Sequence, residues 1–217
     1  MATYDIIATG SNGSGSKYPP LAPDTYPARC YAIIDTGEHY SQTFGKSSQK
    51  IIIMWELPTE RIDVERDGKT ENLPRAISET YTLSLSEKAN LRKTLESWRG
   101  KAFTEEELKG FNLRNVLGAP CMLTVVNGQK SNGDTYAKVG AVVKLPKMFA
   151  GSIPEQPENP LVMFSLLDPE APEKKKSLPE WIQKRIEESE TWKRMEVDNA
   201  TIAGFAPVSG DEDDLPF

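Results

Sequence analysis

Two cysteines and a single histidine in 217 residues leave this chain little of the chemistry that side chains use to hold metals or attack substrates. Cys30 and Cys121 lie in separate apolar runs without CxxC spacing, and His39 has no ligand-like neighbour at metal-binding spacing. That argues against zinc and makes both thiols small core residues. No Gly-rich phosphate loop is present and no histidine accompanies a plausible nucleophile, so no enzyme activity and no cofactor are expected. Runs approaching the roughly 20 apolar residues of a membrane span are also missing, as is an N-terminal basic segment followed by an apolar one. A soluble, cytoplasmic protein without a membrane partner is the expectation.

What is there is distributed unevenly. Hydrophobic residues make up 38% of the chain, too many for a wholly disordered protein and enough for one cored domain with extensions. The net charge of −6 divides along the sequence: residues 1–23 are neutral, 24–149 hold 18 basic and 16 acidic residues, and 150–217 hold 7 basic and 15 acidic. A mildly basic body with an acidic end suits a polyanion binder whose tail competes weakly for its groove. Asp211, Glu212, Asp213 and Asp214 cannot build a core, yet Leu215, Pro216 and Phe217 follow with an apolar hook and a carboxylate. Such an end suits capture by a basic pocket with apolar walls, the alternative being a tail that only solubilises.

The spacing of apolar residues predicts strands over 29–35, 50–57 and 77–85. In the first, Cys30, Ala32 and Ile34 share one face, and Arg29, Tyr31 and Ile33 the other; in the second, Ile51, Ile53, Trp55 and Leu57 share a face that Pro58 closes. A helix follows, with Ser84 or Ser86 as N-cap, Leu91, Leu95 and Trp98 on one stripe and Gly100 at its end. Thr104 to Glu107 has a capping-box pattern, and 112–117 is read as one more turn before Gly118. Two further strands are expected over 121–126 and 136–145, the last with Ala137, Val139, Ala141, Val143 and Leu145 inward. Three strands, a helical connection and two strands is the order of a mainly β, five-stranded OB-fold barrel. Residues 1–23 are then a flexible leader and 24–149 the barrel. Residues 150–198 are a Pro-rich linker and an amphipathic helix over 179–195, and 199–217 a disordered acidic tail.

Aromatic residues in the polar loop 36–48 have little core to join. Tyr40 and Phe44 there, with Lys46, suit base stacking beside phosphate contacts, the alternative being a lid folded back on the barrel. The loop between the last two strands carries Lys130. Tyr136, Lys138 and Lys144 on the last strand, and Arg29 and Tyr31 on the first, repeat an aromatic-plus-cation pairing on one surface. Arg61, Arg66, Lys69 and Arg75 alternate with Asp63, Glu65, Asp67 and Glu71, the pattern of a solvated loop. Lys174, Lys175 and Lys176 form a solvated basic run with a secondary phosphate role. Trp55 and Trp98 are read as core, while Trp181 and Trp192 either pack on the barrel or form a dimer contact.

Residues 26–194 resemble the OB-fold single-stranded DNA-binding proteins of tailed bacteriophages. The likeness rests on Leu117-Gly118-Ala119-Pro120-Cys121, Lys144-Leu145-Pro146-Lys147, Asn159-Pro160-Leu161 and Leu178-Pro179-Glu180-Trp181-Ile182, which occur in order. The acidic tip is similar to that of bacterial single-stranded DNA-binding proteins. The resemblance implies sequence-independent coating of single strands during replication, recombination or repair, with the tail docking replication or recombination proteins. Some phage relatives lack such a tail, so recruitment rests on residues 211–217 alone. The alternative is a protein adaptor that binds no DNA.

Overall fold

The structure, a computed structural model, describes residues 19–66, 68–151 and 153–204. The leader through Tyr18 and the acidic tip at 211–217 lie outside these residues. Three long antiparallel strands open the fold: β1 (Asp24–Ser41), β2 (Lys46–Arg66) and β3 (Lys69–Thr82). All three run well beyond the stretches that alternation marks. β1 is long because it has two partners, pairing with β4 (Pro120–Gln129) over Asp24 to Arg29 and with β2 from Arg29 to Ser41. The expected loop at 36–48 therefore shrinks to a turn over 42–45, where Gly45 takes φ +59°.

The connection read as a solvated loop is also ordered as strand. Pro58, which has no donor for a ladder, falls in an irregularity between Leu57 and Arg61, and pairing then resumes from Arg61↔Pro74 to Arg66↔Lys69. Arg61 clasps this arm by donating to the Asn72 side chain at 2.8 Å and the Asn72 carbonyl at 2.6 Å. β3 ends at Thr82, short of the expected 85, and Leu83 just beyond it is exposed.

Helix α1 (Asn90–Arg99) buries the expected stripe of Leu91, Leu95 and Trp98. Its N-cap is Ala89, not a serine: Ser84 Oγ instead accepts from the Ser86 backbone at 3.2 Å, closing a turn upstream. Gly100 ends it at φ +68°. The Thr104–Glu107 capping box starts α2 (Glu105–Lys109), and the Asn112 side chain caps a 3₁₀ turn over Leu113–Val116. β5 (Thr135–Lys144) completes the sheet path β3-β2-β1-β4-β5. Among the described residues no ladder joins the edges β3 and β5, so the sheet is open.

Two cores lie on opposite faces of this sheet. The inner one gathers Cys30, Ile33, Ile51, Ile53, Trp55, Leu57, Leu123 and Val142 under α1, with the Trp55 and Trp98 rings 5.8 Å apart. Ile33 belongs here while Ala32 and Ile34 do not, because a β-bulge at Tyr31 reverses the alternation read from the sequence. The outer core is built by the C-terminal region. β6 (Val162–Phe164) pairs parallel with β1 over Ala32 to Ile34, and α3 (Ala171–Lys175), α4 (Glu180–Glu187) and α5 (Glu190–Gly204) follow. Ile182, Ile186 and Trp192 close over Ile34, Ile52 and Met54, each aliphatic side chain adding roughly 1.5–3 kcal/mol by burial.

The single helix expected over 179–195 is thus two. Ser189 interrupts it because its hydroxyl accepts the Trp192 N–H at 3.0 Å and so caps α5. Residues 199–204, expected to be disordered, continue α5. Residues 153–161 are strapped down: the fully buried Glu56 carboxylate accepts from the backbone of Glu158 at 3.0 Å and Asn159 at 2.8 Å, and from Asn159 Nδ2 at 2.6 Å.

Candidate nucleic-acid interface

The alternation of β2 decides which parts of the sheet surface are open. Ile51, Ile53, Trp55 and Leu57 face the inner core, so Lys46, Ser48, Lys50, Ile52, Met54 and Glu56 face outward. From Ile52 onward that outward face is covered by the C-terminal helices and strap. Toward the tip the cover thins: Gly37, opposite Lys50, still meets Ser189 and His39 is buried, while Lys46 is exposed.

The hairpin tip retains the first group of candidates on two faces, since Tyr40 pairs with Ser47 and points to the side opposite Lys46, Ser48 and Lys50. Tyr40 is 59% exposed on β1, and Phe44 is 75% exposed in the turn. Lys46 is exposed at the start of β2, opposite Ser41. None of the three is folded back as a lid.

Arg29 and Tyr31 point outward as expected but lie under the cover. Arg29 donates to the carbonyls of Gly118 at 2.6 Å and Pro154 at 2.7 Å, which commits its guanidinium to holding loops. Tyr31 packs on the outer core with its hydroxyl 3.7 Å from Met54 Sδ, and burial pushes its pKa up. Neither has a free face for a base or phosphate, because residues 153–195 occupy that side.

The β4–β5 hairpin divides the remaining candidates. Lys130 and Lys138 are exposed. Tyr136 sits opposite Gly128 and lays its ring across it, so closely that a Cβ on Gly128 would stand 2.6 Å from Tyr136 Cζ. Lys144 changes sides. A bulge at Gly140 shifts the register, so Val139 and Val142 are buried while Ala141 and Val143 are exposed, and the Lys144 stem packs over Gly100 at the end of α1. Lys138 instead faces β3, where it opposes the burial that raises the Glu79 carboxyl.

Sequence reasoning passed over one cation on the hairpin. Lys50 stands on the same outward face as Lys46 and donates from Nζ to Thr82 Oγ1 at 2.7 Å; its place at i+4 on a strand could have revealed it. The other basic runs are neutralised: Lys174 pairs with Asp168 at 2.6 Å and Glu170 at 2.9 Å, Lys175 with Glu187, and Lys176 with Glu173 at 2.8 Å.

Burial pushes the Cys30 thiol up to about 12 and Cys121 well above its ordinary value, which leaves both inert. Among the described residues no group of three His, Cys, Asp or Glu side chains could hold a metal ion, and no helix is long and apolar enough to cross a membrane. No protein-family model, curated protein or solved structure matches the chain.

Proposed function

We propose that this protein binds single-stranded DNA without sequence preference and without catalysis, as part of replication, recombination or repair in a phage-infected cell. The observation that carries this reading is the pair of exposed rings, Tyr40 and Phe44, at the tip of a hairpin that also carries Lys46 and Lys50, on the face opposite Tyr40. Rings stack any base and cations follow the phosphates, so the combination recognises a single strand rather than a sequence. The sheet path supports an OB-type barrel, since that fold also places β1 between β2 and β4 and brings β3 beside β5. On this reading the DNA site is smaller than the sequence suggests. It uses Tyr40, Phe44, Lys46 and Lys50, with Lys130 and Lys138 on the second hairpin, while Arg29, Tyr31 and Lys144 serve the fold. The tip at 211–217 docks partner proteins, as its charge and apolar end suit.

The test is a fluorescence-anisotropy titration of a labelled mixed-sequence strand with its duplex as competitor, at low and moderate salt. Tight, salt-sensitive binding that the duplex fails to displace is expected. Absence of binding at micromolar protein would overturn the reading in favour of a protein adaptor.

A further inference from the structure

Helix α5 does not stay on the outward face where it begins. Ser189, just before it, meets Gly37 on that face; Thr191 Oγ1 accepts the Glu38 N–H at 3.0 Å; and Arg194 donates from Nη2 to Glu38 Oε2 at 2.5 Å. Pairing runs without a break from Gly37↔Lys50 to Tyr40↔Ser47, so Glu38 and Tyr40 share one side of β1 while Gly37 and His39 take the other. The helix thus brings the Arg194 guanidinium to the Glu38 carboxylate on the side where Tyr40 stands, about 7 Å further along the strand.

Across the ladder on this side are Ser47 and Gln49, while Lys46, Ser48 and Lys50 point the other way. Asp35 is engaged by the Gly37 N–H at 2.9 Å and by the Gln49 side chain. The Arg194 and Glu38 side chains are 61% and 37% exposed. A pair that open to water is worth little, and a phosphate offers the same guanidinium a charge-assisted, bidentate partner. A strand can therefore replace the Glu38 carboxylate without leaving a charge buried.

We propose that Arg194 is the phosphate-binding companion of the Tyr40 ring, and that Glu38 holds the guanidinium in place until the backbone of a single strand displaces it. This deepens the single-strand reading and rests on it. It gives α5 a part in DNA binding and makes Glu38 a competitor of DNA built into the hairpin.

The experiment is a set of anisotropy titrations of a labelled oligo-dT strand across salt concentrations with the full-length wild type, Y40A, E38Q, R194Q and R194K, each with its thermal midpoint. R194Q should bind about tenfold more weakly, with a slope of log K against log salt shallower by about 0.7, the share of one phosphate. R194K keeps the charge and should keep the slope. E38Q should bind about two- to fivefold more tightly, a gain that shrinks when R194Q is added to it. Y40A should weaken binding with the slope unchanged.

A latch that serves only the fold would lower the midpoints of E38Q and R194Q together and leave the affinity and slope of the folded protein as they are. That result, or an E38Q that binds more weakly, with Y40A still weakened, would overturn the Arg194 step and leave the single-strand reading standing. No wild-type binding would remove both.

Discussion

Gly37 and Ser189 meet so closely that a Cβ on Gly37 would stand 2.6 Å from Ser189 Oγ and 2.8 Å from its Cβ. This close approach seats the start of α5 on β1, beside the hydrogen bond from the Glu38 N–H to Thr191 Oγ1 at 3.0 Å. Gly37 also holds φ +84°, a conformation costly for any residue with a Cβ. Gly37→Ala should therefore destabilise the fold by roughly 1–3 kcal/mol in urea unfolding. Adding Ser189→Gly should restore only part of this, because it relieves the clash and not the backbone strain.

The hairpin rings should matter to binding and not to folding. Tyr40→Ala and Phe44→Ala should each cost about 1–3 kcal/mol of single-strand affinity while leaving the thermal midpoint unchanged. A fallen midpoint with intact affinity would place the rings in the fold instead.

Tyr31 should behave in the opposite way. Tyr31→Ala should lower stability by about 2 kcal/mol or more, with strand affinity of the folded protein unaltered. Tyr31→Phe should be nearly neutral, since the hydroxyl gives up only a weak interaction with the Met54 sulfur. Denaturation and anisotropy on the same samples separate the two effects.

His39 sets a pH dependence near neutrality. Burial, then the charge of Arg185, hold its imidazole below the ordinary 6.5, with Lys50 acting the same way; the Thr36 carbonyl that its Nε2 meets at 3.0 Å, and Glu188, oppose. The unfolded chain thus takes up this proton more readily than the native state. The stability it contributes is full above about pH 6.5 and drains as the pH falls through the lower folded value. Urea midpoints should drop on going from pH 7.5 to below 6, and His39→Gln should flatten that part of the curve. Glu96 and Glu107, held below the usual carboxylate value by Arg92 and by the Thr104 N–H respectively, lose their contribution only in a separate window below about pH 4.5.

The acidic tip should be dispensable for DNA. Deleting residues 211–217 is expected to leave single-strand affinity intact or slightly tighter, measured by anisotropy at low salt, because like-charged tail and strand compete for the same cations. A large loss of affinity would make the tip part of the DNA site.

Several features were readable because one residue's neighbours in sequence are also its neighbours in space, although the serine cap expected for α1 and the break at Ser189 were not. The stripe of Leu91, Leu95 and Trp98, the stop at Gly100 and the Thr104 capping box are of this kind. So is the inward face of β2, which alternates without interruption from Ile51 to Leu57. Bulges were not readable from alternation. The extra residue at Tyr31 sends Ile33 inward, and the one at Gly140 carries Lys144 away from Tyr136 and Lys138. A glycine within a strand was the available warning in the second case.

By itself the sequence determined the inward face of β2, the buried stripe of α1 and the uneven charge, since each depends on local pattern or composition. Only the tertiary structure decided which side of the sheet remains open. The outward face of β1 and β2 carries Ala32, Ile34, Ile52 and Met54 as well as Lys46 and Lys50, and residues more than a hundred positions away cover the first four, leave Lys50 half-buried and leave Lys46 exposed. Burial of that apolar half is what holds α4 in place. Beside it Ser189 arrives against Gly37, a meeting that no spacing in the sequence encodes.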